Sequence, residues 1–229
     1  MRTFLYSLFV VSCLAVILWA SPTATTATGG AVAGANSRAF TLPKQCKPGK
    51  TSTEALGWRW KPRARVNVYY LKNHFNVEEA EALSRAVKNW NAALIEIDSG
   101  ILFNVRGERA SIAEDDANIT VMRGTPRGKD RVGEVKYYSM SNGVEYMIVT
   151  ISPHVTDLDA LTSLMIHEIG HSLGMADCYG CQRGTTVMAA FKDYNQGNNV
   201  YAPSECDKYV VAEGYASQIG AHARVVSRN

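Results

Sequence analysis

The chain has 229 residues, 46% hydrophobic and 20% charged, a composition that excludes a disordered or collagen-like polymer and leaves room for one substantial core. Its formal charge of +3 arises from 24 Lys and Arg against 21 Asp and Glu. These are scattered without a dense basic block, so nucleic acid is not an expected partner.

The first element is an export signal. Arg2 precedes an almost uncharged stretch from Phe4 to Ala20, followed by the small-residue-rich run that opens at Ser21. A positive end, an apolar middle and a small-residue exit predict a signal peptide over residues 1–20 and a secreted product. No basic cluster follows Ala20 to stop transfer, so no stable membrane association is expected after cleavage. The run Val10-Val11-Ser12-Cys13 superficially fits a lipoprotein signal, but apolar sequence continues to Trp19; a lipid-anchored or periplasmic chain is the alternative. Cleavage removes Arg2 and Cys13, leaving a charge of +2 (+3 minus 1) and four cysteines, Cys46, Cys178, Cys181 and Cys206. An even number in an exported chain predicts disulfides. Three pairings are open, although Cys178 and Cys181 are close enough to bond locally, and a four-cysteine zinc site is the competing reading.

Residues 21–57 are rich in Thr, Ala, Gly, Ser, Lys and Pro, with little periodicity, and read as a leader or linker. A single ordered domain is expected over 58–229, most simply as a monomer. Arg65 to Leu71 is β-branched and aromatic, which predicts a strand; Val77 to Ile95 carries Ala80, Leu83, Val87, Trp90 and Leu94 at helical spacing. Four further strands are expected over Ile101 to Val105, Ala117 to Met122, Gly133 to Met140 and Val144 to Ile151. The last two are separated by the hairpin signal Ser141-Asn142-Gly143. Asn118-Ile119-Thr120 has the form of a glycosylation acceptor, set within a predicted strand.

Thr156 to Asp159 resembles a capping-box start, after which Leu161, Leu164, Met165, Ile169 and Leu173 sustain an apolar face as far as Gly174, the expected helix stop. A long loop rich in Gly, Asn and Ala follows from Cys178 to Pro203, and Ser204 opens a last helix running to about Ser217. The fold class is therefore α+β, with five strands, two long helices and a closing helix.

The chemistry lies in His167-Glu168-Ile169-Gly170-His171. Histidines four apart on a helix share one face, a turn apart, where both can reach one zinc ion. Gly174 can adopt a left-handed conformation that ends the helix and returns the chain, so that Asp177 can supply a third donor. Three protein ligands leave a fourth position open, as a catalytic zinc site requires. Glu168 points beside the histidines toward that position, where it can act as general base. His74, His154 and His222 have no partner at ligand spacing and read as surface or capping residues. Tyr179 and Tyr194 read as loop packing. Nothing in the spacing assigns a structural calcium site.

From these residues the chain resembles the metzincin zinc peptidases over roughly Trp58 to Ser217. The resemblance implies a twisted five-stranded mixed sheet, a zinc helix ending at the glycine, a C-terminal helix, and a methionine turn beneath the metal, for which Met188 is the candidate. It also implies that Gly133 to Met140 is the edge strand that binds an extended peptide substrate, with Tyr137 or Tyr138 facing it. Aspartate as third ligand departs from the usual histidine and looks like the snapalysin type; Cys178 and Cys181 are similar to the cysteines that follow the motif in archaemetzincins. Lys44-Gln45-Cys46 lacks the flanking pattern of a matrixin propeptide cysteine, so a disulfide is expected for Cys46. The expected function is a secreted zinc endopeptidase. The alternatives are a non-catalytic zinc-binding module and a zincin whose third ligand is a distant Glu205 or Glu213.

Overall fold

The computed structural model describes residues 43–226 apart from 113, 115–116, 129, 141–142 and 190–198; for residues 140 and 216–226 the backbone alone is described. The chain divides into a unit over residues 1–38, which lies outside the described residues together with the predicted signal peptide, and a unit over residues 39–229. No helix among the described residues is long and apolar enough to cross a membrane.

The second unit orders its elements as β1 (Arg65–Leu71), α1 (Val77–Glu96), β2 (Leu102–Arg109), β3 (Asn118–Arg123), β4 (Gly133–Met140), β5 (Gly143–Ile151), α2 (Leu158–Ser172) and α3 (Glu205–Val226). The five strands form one sheet in the order β2-β1-β3-β5-β4. β1, β2, β3 and β5 run parallel, and β4 pairs antiparallel with β5. The α+β class and the mixed five-stranded sheet are thus as expected. β4 is the outer strand beside β5, so one of its backbone edges lacks a neighbour in the sheet.

Each helix begins where a side chain satisfies otherwise orphaned backbone amides. Asn76 and Glu79 exchange hydrogen bonds in a complete capping box at α1. Asp157 caps α2 through the Ala160 amide at 2.7 Å, and because Ala160 occupies the third helical position, the expected box is half-formed. α1 and α2 are locked where the Trp90 indole, fully buried, donates to the Ile166 carbonyl at 2.8 Å. β2 runs past Val105 to Arg109 with its register shifted opposite Val68 and Tyr69, and α3 continues beyond Ser217. Asn118 is buried on β3, which removes it as a glycosylation acceptor. The turn residues 141 and 142 lie outside the described residues.

The packed chain reaches back past the expected start at Trp58. Cys46, Ser52 and Thr53 are buried, and Cys46 is bonded to Cys206. The Leu56 amide donates to the Gly174 carbonyl at 2.6 Å, and the Ala176 amide to the Glu54 carbonyl at 2.8 Å. Residues 53–56 are therefore zipped onto the segment that follows α2. Backbone pairing of this kind leaves no periodic trace in side-chain composition, which is why the stretch reads as linker. The second disulfide joins Cys178 and Cys181. All four cysteines are consumed, so the four-cysteine metal site does not form.

Candidate metal centre

α2 carries His167, Glu168 and His171 into a cleft of about 780 Å³ whose walls include Trp58, Arg131, Tyr137, Asp177 and Tyr179. The helix then stops as its sequence requires. The Gly174 amide donates to the His171 carbonyl at 2.9 Å and the Met175 amide to that of Gly170 at 3.2 Å, a Schellman closure with Gly174 at φ +85°. A side chain at Gly174 would also collide with the Trp58 carbonyl, and the Trp58 indole donates to the His171 carbonyl at 2.9 Å. The reversal brings Asp177 back over the histidines.

Both imidazoles are oriented from behind. His167 Nδ1 lies 2.9 Å from the Val187 carbonyl and His171 Nδ1 2.7 Å from that of Met175. A carbonyl can only accept, so each Nδ1 carries the proton and each Nε2 is left facing the cleft as a potential ligand. Asp177 Oδ1 lies 3.0 Å from His167 Nε2 and 3.4 Å from His171 Nε2. The three residues are the metal-competent donor cluster among the described residues, with all three donor atoms within 4.8 Å of one another. Tetrahedral zinc ligands at about 2.1 Å from the ion sit roughly 3.4 Å apart, so this donor set fits zinc. Glu205 is committed to Lys208 and Glu213 is exposed, and neither belongs to the cluster. The cluster thus forms without either of the distant glutamates.

Without a metal the carboxylate and the two imidazoles interact directly. Burial alone would raise Asp177, but hydrogen bonds from His167 and His171, and their charges, hold its carboxyl far below the ordinary range. For His171 burial opposes the charged form, yet the Asp177 hydrogen bond and the charges of Glu168 and Asp177 outweigh it and carry the imidazole upward.

Glu168 is 3% exposed, and its Oε2 has no hydrogen-bond partner among the described residues. Burial pushes its carboxyl up, against the lowering charges of His167, His171 and Arg131. Its other oxygen packs on Gly133, where any Cβ would collide with it. The glycine at the start of β4 thus makes room for the carboxylate at the foot of the edge strand.

Met188, fully buried, packs its sulfur against Gly170, between the two histidines, where a Cβ would strike it. The turn that carries it is pinned by Asp207 near the start of α3. This carboxylate accepts from Thr186 Oγ1, from the Val187 amide at 3.1 Å, and from the Ser204 amide and hydroxyl at 2.8 Å each. The Cys178 amide donates to the Met188 carbonyl at 2.7 Å, tying the Asp177 segment to the same turn.

Tyr137 lines the cleft, its ring centroid 3.9 Å from that of Trp58, whereas Tyr138 stacks on Tyr146 and is not part of the cleft wall. Tyr179 does not pack in the loop as expected. It is 68% exposed, and its hydroxyl donates to Asp177 Oδ2 at 3.1 Å. Tyr194 and much of the loop expected to shape specificity lie outside the described residues, as does the side chain of His222. His154 is exposed, and His74 accepts the Arg123 amide at 3.0 Å, a capping role. Asp207, Trp58, Gly133 and Arg131 belong to no spacing motif and escape a reading from sequence; a buried aspartate three residues after Ser204 is the one that leaves a signal, as a helix cap.

No family model matches the chain, and no curated protein matches its sequence. Among solved structures it is similar to myroilysin, with 14% identity over 76% of this chain and 88% of that one and a TM-score of 0.43. It is also similar to metalloproteinase-II from Bacteroides fragilis (14% identity, 67% of this chain and 54% of that one, TM-score 0.39). A third is archaemetzincin from Methanopyrus kandleri (10% identity, 68% and 96%, TM-score 0.37).

Proposed function

We propose that the chain is an exported, zinc-dependent endopeptidase. The observation that carries this reading is the convergence of His167 Nε2, His171 Nε2 and Asp177 Oδ1 in an open cleft beside a buried carboxylate with an unpartnered oxygen. Those three atoms would hold the ion, which when bound supplies Lewis acidity toward water and the peptide carbonyl.

Glu168 takes a proton from the attacking water through Oε2 as the new C–O bond forms, and returns it to the amide nitrogen as the C–N bond breaks. Burial favours its protonated form and so its second role as acid; the nearby positive charges favour the first. The free edge of β4 offers backbone partners to an extended peptide, and Gly133 sets the start of that edge against Glu168. Tyr137 and Trp58 present an aromatic wall to substrate side chains. Met188 supports the helix turn between the histidines, and Asp177, as a carboxylate ligand, leaves a less electrophilic centre than a third imidazole would. The two disulfides suit an oxidising compartment, in keeping with export.

A non-catalytic zinc module would have no use for a buried, unsatisfied carboxylate at an open position. The two readings separate on incubating the purified protein with mixed peptides. Hydrolysis should occur, stop on chelation and return with zinc, while Glu168→Gln keeps its zinc and loses about 10²–10⁴-fold in turnover. Near-full turnover by that variant, or no hydrolysis by the zinc-loaded wild type, would overturn the proposal.

A further inference from the structure

Among the described residues, Arg131 is a cleft cation without an ion-pair partner. It lines the cavity that holds Glu168 and the donor cluster, and among the described residues its guanidinium makes no hydrogen bond and no ion pair. Two other charged groups of that wall, Glu134 and Asp177, are committed. Glu134 is paired with Arg127 at 3.1 Å, Asp177 is held by His167, His171 and Tyr179, and the charges of Asp177 and Glu168 are those that a divalent ion would balance. Asp130 lines the cleft beside Arg131 but forms no ion pair with it among the described residues, and the charge of Arg131 reaches Glu168 and Tyr179.

The side chain is also aimed. Its stem lies across Gly128, where an added Cβ would stand 3.2 Å from Cδ and Nε, so the absence of a side chain there gives the stem its bed. The backbone beside it is anchored, because the Val132 carbonyl accepts the Ser152 amide at 2.8 Å. Arg131 precedes Gly133 by two residues, a Cα separation of at most about 7 Å, and Gly133 is where β4 meets the Glu168 carboxylate. A peptide laid along β4 with its reacting bond at Glu168 therefore passes Arg131 within about two residues of that bond.

Resting on the peptidase reading above, we propose that Arg131 is the specificity-determining residue of the cleft, selecting peptides with an aspartate or glutamate within about two residues of the cleaved bond. Arg131 is itself exposed at the cleft wall, and a guanidinium with free donors there recognises a carboxylate through paired, charge-assisted hydrogen bonds that the neutral amide of the same shape cannot match.

Zinc-loaded Glu168→Gln protein allows binding to be read apart from turnover. Labelled octapeptides identical except for Glu or Gln beside the central bond are titrated by fluorescence anisotropy. The Glu peptide should bind about tenfold more tightly at low salt, with the preference shrinking as salt rises. Adding Arg131→Gln should erase the preference, and adding Arg131→Glu should transfer it to Lys peptides. Equal affinities, or a preference that survives Arg131→Gln, would overturn the proposal. In parallel, wild-type cleavage of a peptide mixture is mapped by mass spectrometry. Cleavage without acidic enrichment near the cut overturns the role of Arg131 and leaves the peptidase reading intact. Absence of any cleavage overturns the peptidase reading, and the anisotropy titration then decides alone whether Arg131 selects acidic peptides.

Discussion

Asp177 bears the greatest chemical demand of any single residue, because one of its oxygens faces both imidazoles while the other accepts from Tyr179. Asp177→Ala should leave two donors and release zinc readily to a chelator, with activity severely cut. Asp177→His should retain zinc, and its acidic activity limb should move lower as the added site charge depresses the pKa of the reacting water. Zinc content after dialysis, compared across the two variants, checks this; undiminished zinc in Asp177→Ala would remove it from the ligand set. Proton linkage offers a second test. The raised pKa of His171 means that its pairing contributes stability below the ordinary histidine pKa and loses it as pH rises through the raised value. For Asp177, depressed, the contribution is present above the ordinary carboxylate pKa and is lost as pH falls through the lowered one. Between those limits the metal-free site holds a proton that zinc must displace. Zinc uptake at acidic pH should therefore expel more protons than uptake at alkaline pH, as read by calorimetry in buffers of different ionisation enthalpy. Equal release at the two would contradict the pairing.

Among the elements, α2 is positioned by what lies behind it. Asp207 holds the Val187 amide, and the Val187 carbonyl holds His167 Nδ1, so one carboxylate at the start of α3 orients a ligand on another helix. Asp207→Ala would strand buried donors at about 1–3 kcal/mol each and should speed zinc loss to a chelator about tenfold. Thermal unfolding and metal-release rates measure the two effects, and a variant destabilised without faster release would limit Asp207 to a structural role. The elements were legible where local signals speak, as in α1 and α2 with their apolar faces and in β4 and β5 with the hairpin signal between them. The ligand helix and its stop were legible because spacing and a required left-handed glycine are local properties. The 53–56 strap was not, since it is held by main-chain hydrogen bonds to residues more than a hundred positions away. The place of Arg131 in the cleft was not, because lining a cavity without an ion pair among the described residues is a relation that only the fold reveals. The cysteine pairing, open among three choices, needed the distance between Cys46 and Cys206 across the folded chain.

At the scale of the whole molecule the two disulfides divide their work. Cys46–Cys206 closes a loop with a sequence separation of 160, worth about 5 kcal/mol in chain entropy, whereas Cys178–Cys181, with a separation of 3, closes one worth about 2 kcal/mol. The shorter bridge, however, sits between Asp177 and the Met188 turn. Replacing Cys46 and Cys206 by Ser should lower the denaturant midpoint more than replacing Cys178 and Cys181, while the second pair of substitutions should cost more peptide turnover per unit of stability lost. Parallel denaturation and turnover assays test this, and the reverse ranking would refute the division.

The segment bearing Asp177 is gripped on one side by residues 53–56 and on the other by the Met188 turn, stretches made early and late in synthesis. Cys46 and Cys206 fasten the early stretch to the late one. A nascent chain, still threading outward, thus carries both histidines before it can present the third donor in place. Both grips can be in place only once the Met188 turn has emerged. On the peptidase reading proposed above, this order of assembly sets synthesis apart from activity.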